Sequence, residues 1–171
     1  VGDESANLVL LSKVLYGFDN ETIYLSPAPL YHAAPLRYNL VTLLFGGTSV
    51  VMEDFNDEEA LRLIEKYKIT HSQWVPTMFI RMLKLDEAER TQFDLSSHKA
   101  AVHAAAPCPL DVKHQMIDWW GNIVFEYYGG TELNGMTVCD SEQWLAHPGT
   151  VGTPILGALH ICDETGNELP S

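Results

Sequence analysis

Short runs of β-branched and aromatic residues alternate with helical patterns along most of the chain, and few folds tolerate that order. Ile23-Tyr24-Leu25 reads as a strand, followed by a helix over about Leu36 to Phe45 that stops at Gly46-Gly47. Ser49 to Met52 is a second strand. The clearest helix lies in NDEEALRLIEKYK, where Asn56 can cap the first turn and Glu59 sits three residues on, as a capping box requires. Asp57 and Glu58 suit the positive end of its dipole, Lys66 and Lys68 the negative end, and Ala60, Leu61, Leu63, Ile64 and Tyr67 form one apolar face. His71 to Val75 is the next strand, Pro76 opens a helix over Thr77 to Leu85, and Asp86 to Ser97 reads as polar surface. Ala100 to Ala104 is a strand, and Pro109 stands where a first helical position accepts proline. Val112, Met116, Trp119 and Trp120 follow at helical spacing until Gly121, and Ile123 to Tyr127 is one more strand. Strands and helices in this order imply right-handed βαβ units. The expected fold is α/β, a mostly parallel β-sheet with flanking helices.

The 171 residues suffice for one domain with a real core, and a 46% hydrophobic content suits a globular protein. The longest apolar run, Leu40 to Phe45, is far short of the roughly 20 residues of a membrane span and reads as a buried helix. A net charge of -13, from 23 acidic and 10 basic residues, argues against nucleic acid or an anionic membrane as partner, since both call for a basic face. It leaves room for a phosphate ligand held by backbone N–H groups and a divalent cation. Cys108, Cys139 and Cys162 are odd in number and far apart, which fits a reducing compartment, the cytoplasm, better than a disulfide framework. The histidines form no metal-ligand spacing. The chain opens Val1-Gly2-Asp3 and stops at Leu169-Pro170-Ser171, where a strand Leu159 to Cys162 and the turn Asp163 to Gly166 call for a return strand. It reads as a piece of something longer.

In open α/β sheets ligands bind beyond the carboxyl ends of the strands, and three such ends are unusual. The first strand runs into SPAPLYHAAP (Ser26 to Pro35), the strand Ala100–Ala104 into AAPCP (Ala105 to Pro109), and the strand Ile123–Tyr127 into YGGTE (Tyr128 to Glu132). All three should lie on one side of the sheet and could line one pocket. Ala104 to Pro107 leaves room for a flat ring against the backbone. Gly129 and Gly130 permit close approach or positive φ. Thr131 offers a hydroxyl to phosphate, Glu132 a hard carboxylate to Mg²⁺, and His32 an imidazole in a proline-stiffened loop. Each has a plainer explanation: a glycine pair after a strand is commonly a turn, and a histidine between prolines is commonly structural. His71, Trp74, Trp119 and Trp120 read first as packing.

YYGGTE resembles the Y-G-x-T-E signature of the adenylate-forming enzymes, a superfamily of acyl-CoA synthetases, luciferases and peptide-synthetase adenylation domains. PLYH resembles the P-L-[YF]-H segment that precedes it there. HAAAPCP stands in place of G-G-A-P-L, GTVGTPILG (Gly149 to Gly157) resembles G-[ST]-V-G-x-P-x-P-G, and CDETGNELP resembles a D-x-x-G-x-x-L-P turn. Five matches in order, from about residue 22 to 170, fit the acyl-CoA synthetase (fatty-acid–CoA ligase) branch best. The resemblance implies ATP-dependent activation of a carboxylic, expectedly fatty, acid as acyl-AMP and its transfer to coenzyme A, with Mg²⁺. It implies that Thr131 contacts phosphate, Glu132 binds Mg²⁺ and His32 borders the reacting centre. Ala105, Ala106 and Pro107 would form an adenine wall, with Tyr128 and Gly129 beside the nucleotide. Trp74, Thr77, Met78 and Gly130 would border the acyl group, with room at Gly130 for a medium, long or bulky acid. The alanines replace the family's commoner glycines, and Leu156 its proline. A phosphate loop, a ribose-binding Asp and a lysine-bearing C-terminal lid have no counterpart in the sequence. Residues 1–171 therefore read as one partial domain, the middle of the large N-terminal domain, with a β-rich segment beginning near 150, and as inactive by itself. Two alternatives stand beside this: a non-catalytic acyl- or nucleotide-binding module, and an adenylating enzyme acting with a carrier-protein thiol.

Overall fold

The computed structural model describes residues 3–132 and 134–169. Within them α1 (Asp3–Tyr16) precedes β1 (Ile23–Ser26), α2 (Ala33–Phe45), β2 (Thr48–Val51), α3 (Asp57–Tyr67) and β3 (His71–Trp74). Then come α4 (Pro76–Leu83), α5 (Glu87–Arg90), β4 (Ala100–His103), α6 (Leu110–Trp120) and β5 (Val124–Gly129). The series closes with β6 (Met136–Cys139), α7 (Ser141–Ala146) and β7 (Thr153–Leu156). The strands form one seven-stranded sheet in the order β2-β1-β3-β4-β5-β6-β7. β1 to β5 run parallel, as the alternating helices require, while β6 and β7 add antiparallel at one edge.

Alternation along each strand sorts the helices onto two faces. Leu25, Trp74, Ala101 and Val124 point to a core shared with Leu61 and Ile64 of α3, Phe79 and Met82 of α4, and Met116 and Trp120 of α6. Tyr24, Ala100 and Val102 point the other way, into an aromatic core with Tyr16, Phe18, Tyr38 and Val41 from α1, α2 and the loop between α1 and β1. Tyr24 stacks on Tyr38 with centroids 6.1 Å apart, and Phe18 lies 4.4 Å from the His71 ring.

Several local expectations change. Asn56 Oδ1 accepts from the Glu59 N–H at 2.8 Å, but the Glu59 carboxylate turns to Arg62, so the capping box is half made. Leu40 to Phe45 is helical yet only partly buried: Val41 and Thr42 face the sheet, while Leu40, Leu43 and Leu44 are exposed. The reason is helical period, since a six-residue run must cover all sides of its axis. Pro109 is the residue before α6 rather than its first member. Phe93 and Leu95, in the stretch read as polar surface, pack against the larger core. Helix α1, the short helices α5 and α7 and the strand β6 have no counterpart in the sequence-based expectations, while β7 falls in the segment from about 150 expected only to be β-rich. The expected strand Leu159–Cys162 is reduced to a single bridge, Cys162 to Glu168, with the Leu169 N–H bonded to the Ile161 carbonyl at 2.7 Å. The return strand as read would include Pro170 and Ser171, which lie outside the described residues. Among the described residues no helix is long and apolar enough to cross a membrane.

Candidate active site

Parallel strands all present their carboxyl ends on one side, so β1, β3, β4 and β5 release their following loops into the same region. A cavity of about 340 Å³ opens there on the face covered by α1 and α2. The loop after β1 and the start of α2 bring His32, Arg37 and Tyr38 to it. Gln73 and Val75 come from the end of β3, Ala105 from the loop after β4, and Tyr127, Gly129, Gly130 and Thr131 from β5 and its continuation. Ser12 of α1 and Met136 of β6 complete the wall. Four separate strand ends thus meet at one hollow.

The backbone there is specialised. β5 runs on through Gly129, so the first glycine of the pair is a strand residue opposite Met136 and not a turn. A Cβ on Gly129 would stand 2.9 Å from the Gly135 carbonyl oxygen, which the adjoining backbone cannot relieve, so this register has no place for a side chain. A Cβ on Gly130 would meet the Glu132 carboxylate at 2.9 Å and the Glu132 nitrogen at 3.9 Å, so a side chain there would require only the flexible end of Glu132 to move. Ala105 takes φ +77°, the left-handed region that costs a non-glycine residue roughly 1–2 kcal/mol. The substitution Ala105→Gly is expected to raise the chain's stability by under about 1 kcal/mol, the relieved strain being offset in part by glycine's greater freedom when unfolded. A shift of the urea midpoint to lower concentration would contradict this.

Electrostatically the cavity is nearly neutral. Arg37 is the only Lys or Arg among its described lining residues, and no Asp or Glu lines it. Its Nη2 donates to the Thr131 carbonyl at 3.1 Å. Burial pushes the Tyr127 phenol upward, against a lowering pull from the Arg37 guanidinium, and burial likewise holds Tyr38 well above the usual tyrosine range. Both hydroxyls therefore stay protonated and can donate. Gln73 is buried, with Nε2 donating to the Trp74 carbonyl at 2.8 Å.

Of the residues singled out from sequence, His32, Ala105, Gly129, Gly130 and Thr131 line this cavity. Ala106 and Pro107 follow Ala105 on the exposed loop, Tyr128 is 63% exposed, and Glu132 is exposed beyond Thr131. Trp74 and Met78 do not reach it: both are buried in the core on the opposite face, Trp74 against Phe79 and Trp120. Thr77 is exposed in the first turn of α4. Arg37, Tyr38, Gln73 and Tyr127 were not singled out. Alternation held the signal, because Gln73 shares a face with His71 and not with Trp74, and Tyr127 shares one with Gly129 and not with Tyr128. Among the described residues no three metal-capable side chains cluster. Glu132 could hold Mg²⁺ only together with phosphate oxygens and water, which is how that ion is commonly bound.

Several known proteins are similar to this chain in sequence or in fold. A probable CoA ligase, CCL5, of Humulus lupulus is 30% identical over 156 residues, which cover 88% of this chain and 28% of the relative. The mitochondrial medium-chain acyl-CoA ligase ACSF2 of Danio rerio is 34% identical over 116 residues, 66% of this chain and 19% of that protein. The ATP-bound MatB of Rhodopseudomonas palustris superposes with a TM-score of 0.78 at 26% identity, over 96% of this chain and 32% of that one. The amide bond synthetase McbA of Marinactinospora thermotolerans shares the fold with a TM-score of 0.81 at 24% identity, over 97% of this chain and 33% of that one. The chain thus spans under a third of the length of these curated relatives. The family model described as AMP-binding enzyme matches residues 5–171, and the chain belongs to that family.

Proposed function

We propose that the chain is the middle of the large N-terminal domain of an AMP-forming acid–CoA ligase. What carries the proposal is the meeting of His32, Ala105 and Gly129 to Thr131, residues of the three motif-bearing loops, around one cavity of about 340 Å³. That volume lies toward the lower end of ligand pockets and suits a fatty acid of moderate length or an acid with one ring. The acyl chain enters between α2 and β5, over Gly130. A carboxylate oxygen attacks the α-phosphorus of ATP, forming the mixed anhydride acyl-AMP as pyrophosphate leaves. The thiol of coenzyme A then attacks the acyl carbon, and AMP departs with the bonding electrons. Thr131 donates to a phosphate oxygen, His32 faces the reacting carboxylate, and Ala105 to Pro107 with Tyr128 bracket adenine. Glu132 would hold Mg²⁺, which when bound would supply charge neutralisation, and fixed electrostatic stabilisation of that kind is typically the largest catalytic contribution. The cytoplasm is the proposed compartment, supported by the free thiols Cys108, Cys139 and Cys162.

The test is a panel of carboxylic acids given to the full-length protein with ATP, Mg²⁺ and coenzyme A. Acid-dependent pyrophosphate release and thioester formation are expected, with medium-chain or single-ring acids preferred. The 171-residue chain alone is expected to give neither. Pyrophosphate release indifferent to every acid would overturn the ligase assignment, and exchange by the isolated chain would overturn its inactivity.

A further inference from the structure

We infer that Arg37 takes hold of the substrate's carboxylate at the mouth of the cavity. The assignment rests on the acid-activating role proposed above and names a residue for one of its tasks. Arg37 is the only cationic Lys or Arg side chain on the described cavity wall, in a chain of net charge -13. Among the described residues no carboxylate pairs with it. Arg37 is partly buried as a residue, and a guanidinium with no carboxylate beside it keeps unused donors for an anion. Its orientation is set from below: Nη2 donates to the Thr131 carbonyl at 3.1 Å. The guanidinium is thereby held beside the residue proposed to meet phosphate, at the rim and not at the apolar end of the cavity. The remaining N–H donors are free to make the paired bonds to a carboxylate for which a planar guanidinium is suited.

The helix supplies the geometry. His32 caps α2 and Arg37 lies in its second turn, so one rigid element carries both groups to the same opening. The other polar side chains of the lining, Ser12, Tyr38, Gln73, Tyr127 and Thr131, are neutral, and the carboxylate of Glu132 stands outside the wall over Gly130, so Arg37 is the one fixed positive charge an anion meets on the wall itself. Local potential of this kind outweighs the protein's overall negative charge over a few ångströms.

The experiment measures binding and turnover separately in the full-length protein, using the best acid of the panel and its primary amide, which has the same shape without the charge. By calorimetry, Arg37→Met is expected to weaken the acid about 10- to 100-fold while leaving the amide within about twofold, and Arg37→Lys to recover part of the loss. In turnover, KM for the acid should rise by a similar factor with KM for ATP unchanged. Equal losses for acid and amide would show that Arg37 only shapes the wall, and a loss confined to ATP would show that it reads phosphate; either overturns the assignment. Should the binding pattern hold while no acid is adenylated, Arg37 keeps its role and the ligase proposal falls instead.

Discussion

Replacing Lys113 with methionine is expected to destabilise the chain by about 3–5 kcal/mol, the usual result of stripping one partner from a buried ion pair. Lys113 is fully buried on α6, and its Nζ reaches Glu126 Oε2 of β5 at 2.5 Å beneath the Trp144 ring, whose centroid is 5.1 Å away. His103 of β4 approaches the same carboxylate oxygen at 3.6 Å. Burial, helped by the lysine's charge, depresses His103 to about 3, so beside Lys113 the imidazole is neutral at physiological pH, and burial, the larger cause, still opposes its charge once the lysine is gone. Without the lysine, Glu126 is a buried charge with no counter-ion. The thermal midpoint should fall on the order of 10 °C for a domain of this size. Adding Glu126→Met should recover most of the loss, because the cost lies in the orphaned charge and not in the missing bond. A single substitution costing under about 1 kcal/mol, or a double one no better than the single, would contradict this account. The pair also bears on the site. His103 and Glu126 are register partners on β4 and β5, whose ends present Ala105 and Gly129.

How much of this could be read in the sequence depended on whether a residue's role is set by local period or by which face it lands on. Helix α3 was legible because its cap, charges and apolar stripe agree, and the parallel order β1 to β5 followed from alternation. Helix α1 was not, since apolar residues such as Leu10 and Val14 fall on its exposed side and blur the stripe. At six residues α7 is too short for periodicity, though Asp140 and Gln143 form a complete capping box that a search for caps would have found. The strand β6 and the edge strand β7 hold four residues each, and Pro154 inside β7 argues against a strand by composition even though it sits at the sheet's edge, where proline is tolerated. In the site, the motif residues Thr131 and Glu132 were visible as chemistry. Arg37 was not, because a lone arginine on a helix looks like solvated surface until the helix is docked. Trp74 and Gln73 are neighbours in sequence, and only the pleat decides that glutamine faces the cavity and tryptophan the core.

In the full-length ligase proposed for this chain, Glu132→Gln is expected to slow acyl-AMP formation about 100- to 1,000-fold, the range seen when one preorganised electrostatic contact to a developing charge is lost. The substitution keeps size and shape and removes the charge that would hold Mg²⁺. Its structural cost should be small, because Glu132 is exposed and its carboxylate makes no ion pair among the described residues. Unchanged unfolding with collapsed adenylation is therefore the expected pattern, the reverse of Lys113→Met. No cluster of three metal-capable groups occurs among the described residues, so within this chain Glu132 would hold the ion together with the triphosphate. Raising Mg²⁺ should accordingly restore part of the lost rate. The second step separates charge neutralisation from general damage, since thioester formation from synthetic acyl-AMP involves no triphosphate and should lose far less than the first. If both steps fall equally, Glu132 acts on the shape of the Gly130 rim and not on the metal. If adenylation stays within about tenfold of the unaltered enzyme at every Mg²⁺ concentration, the carboxylate is not the ion's anchor.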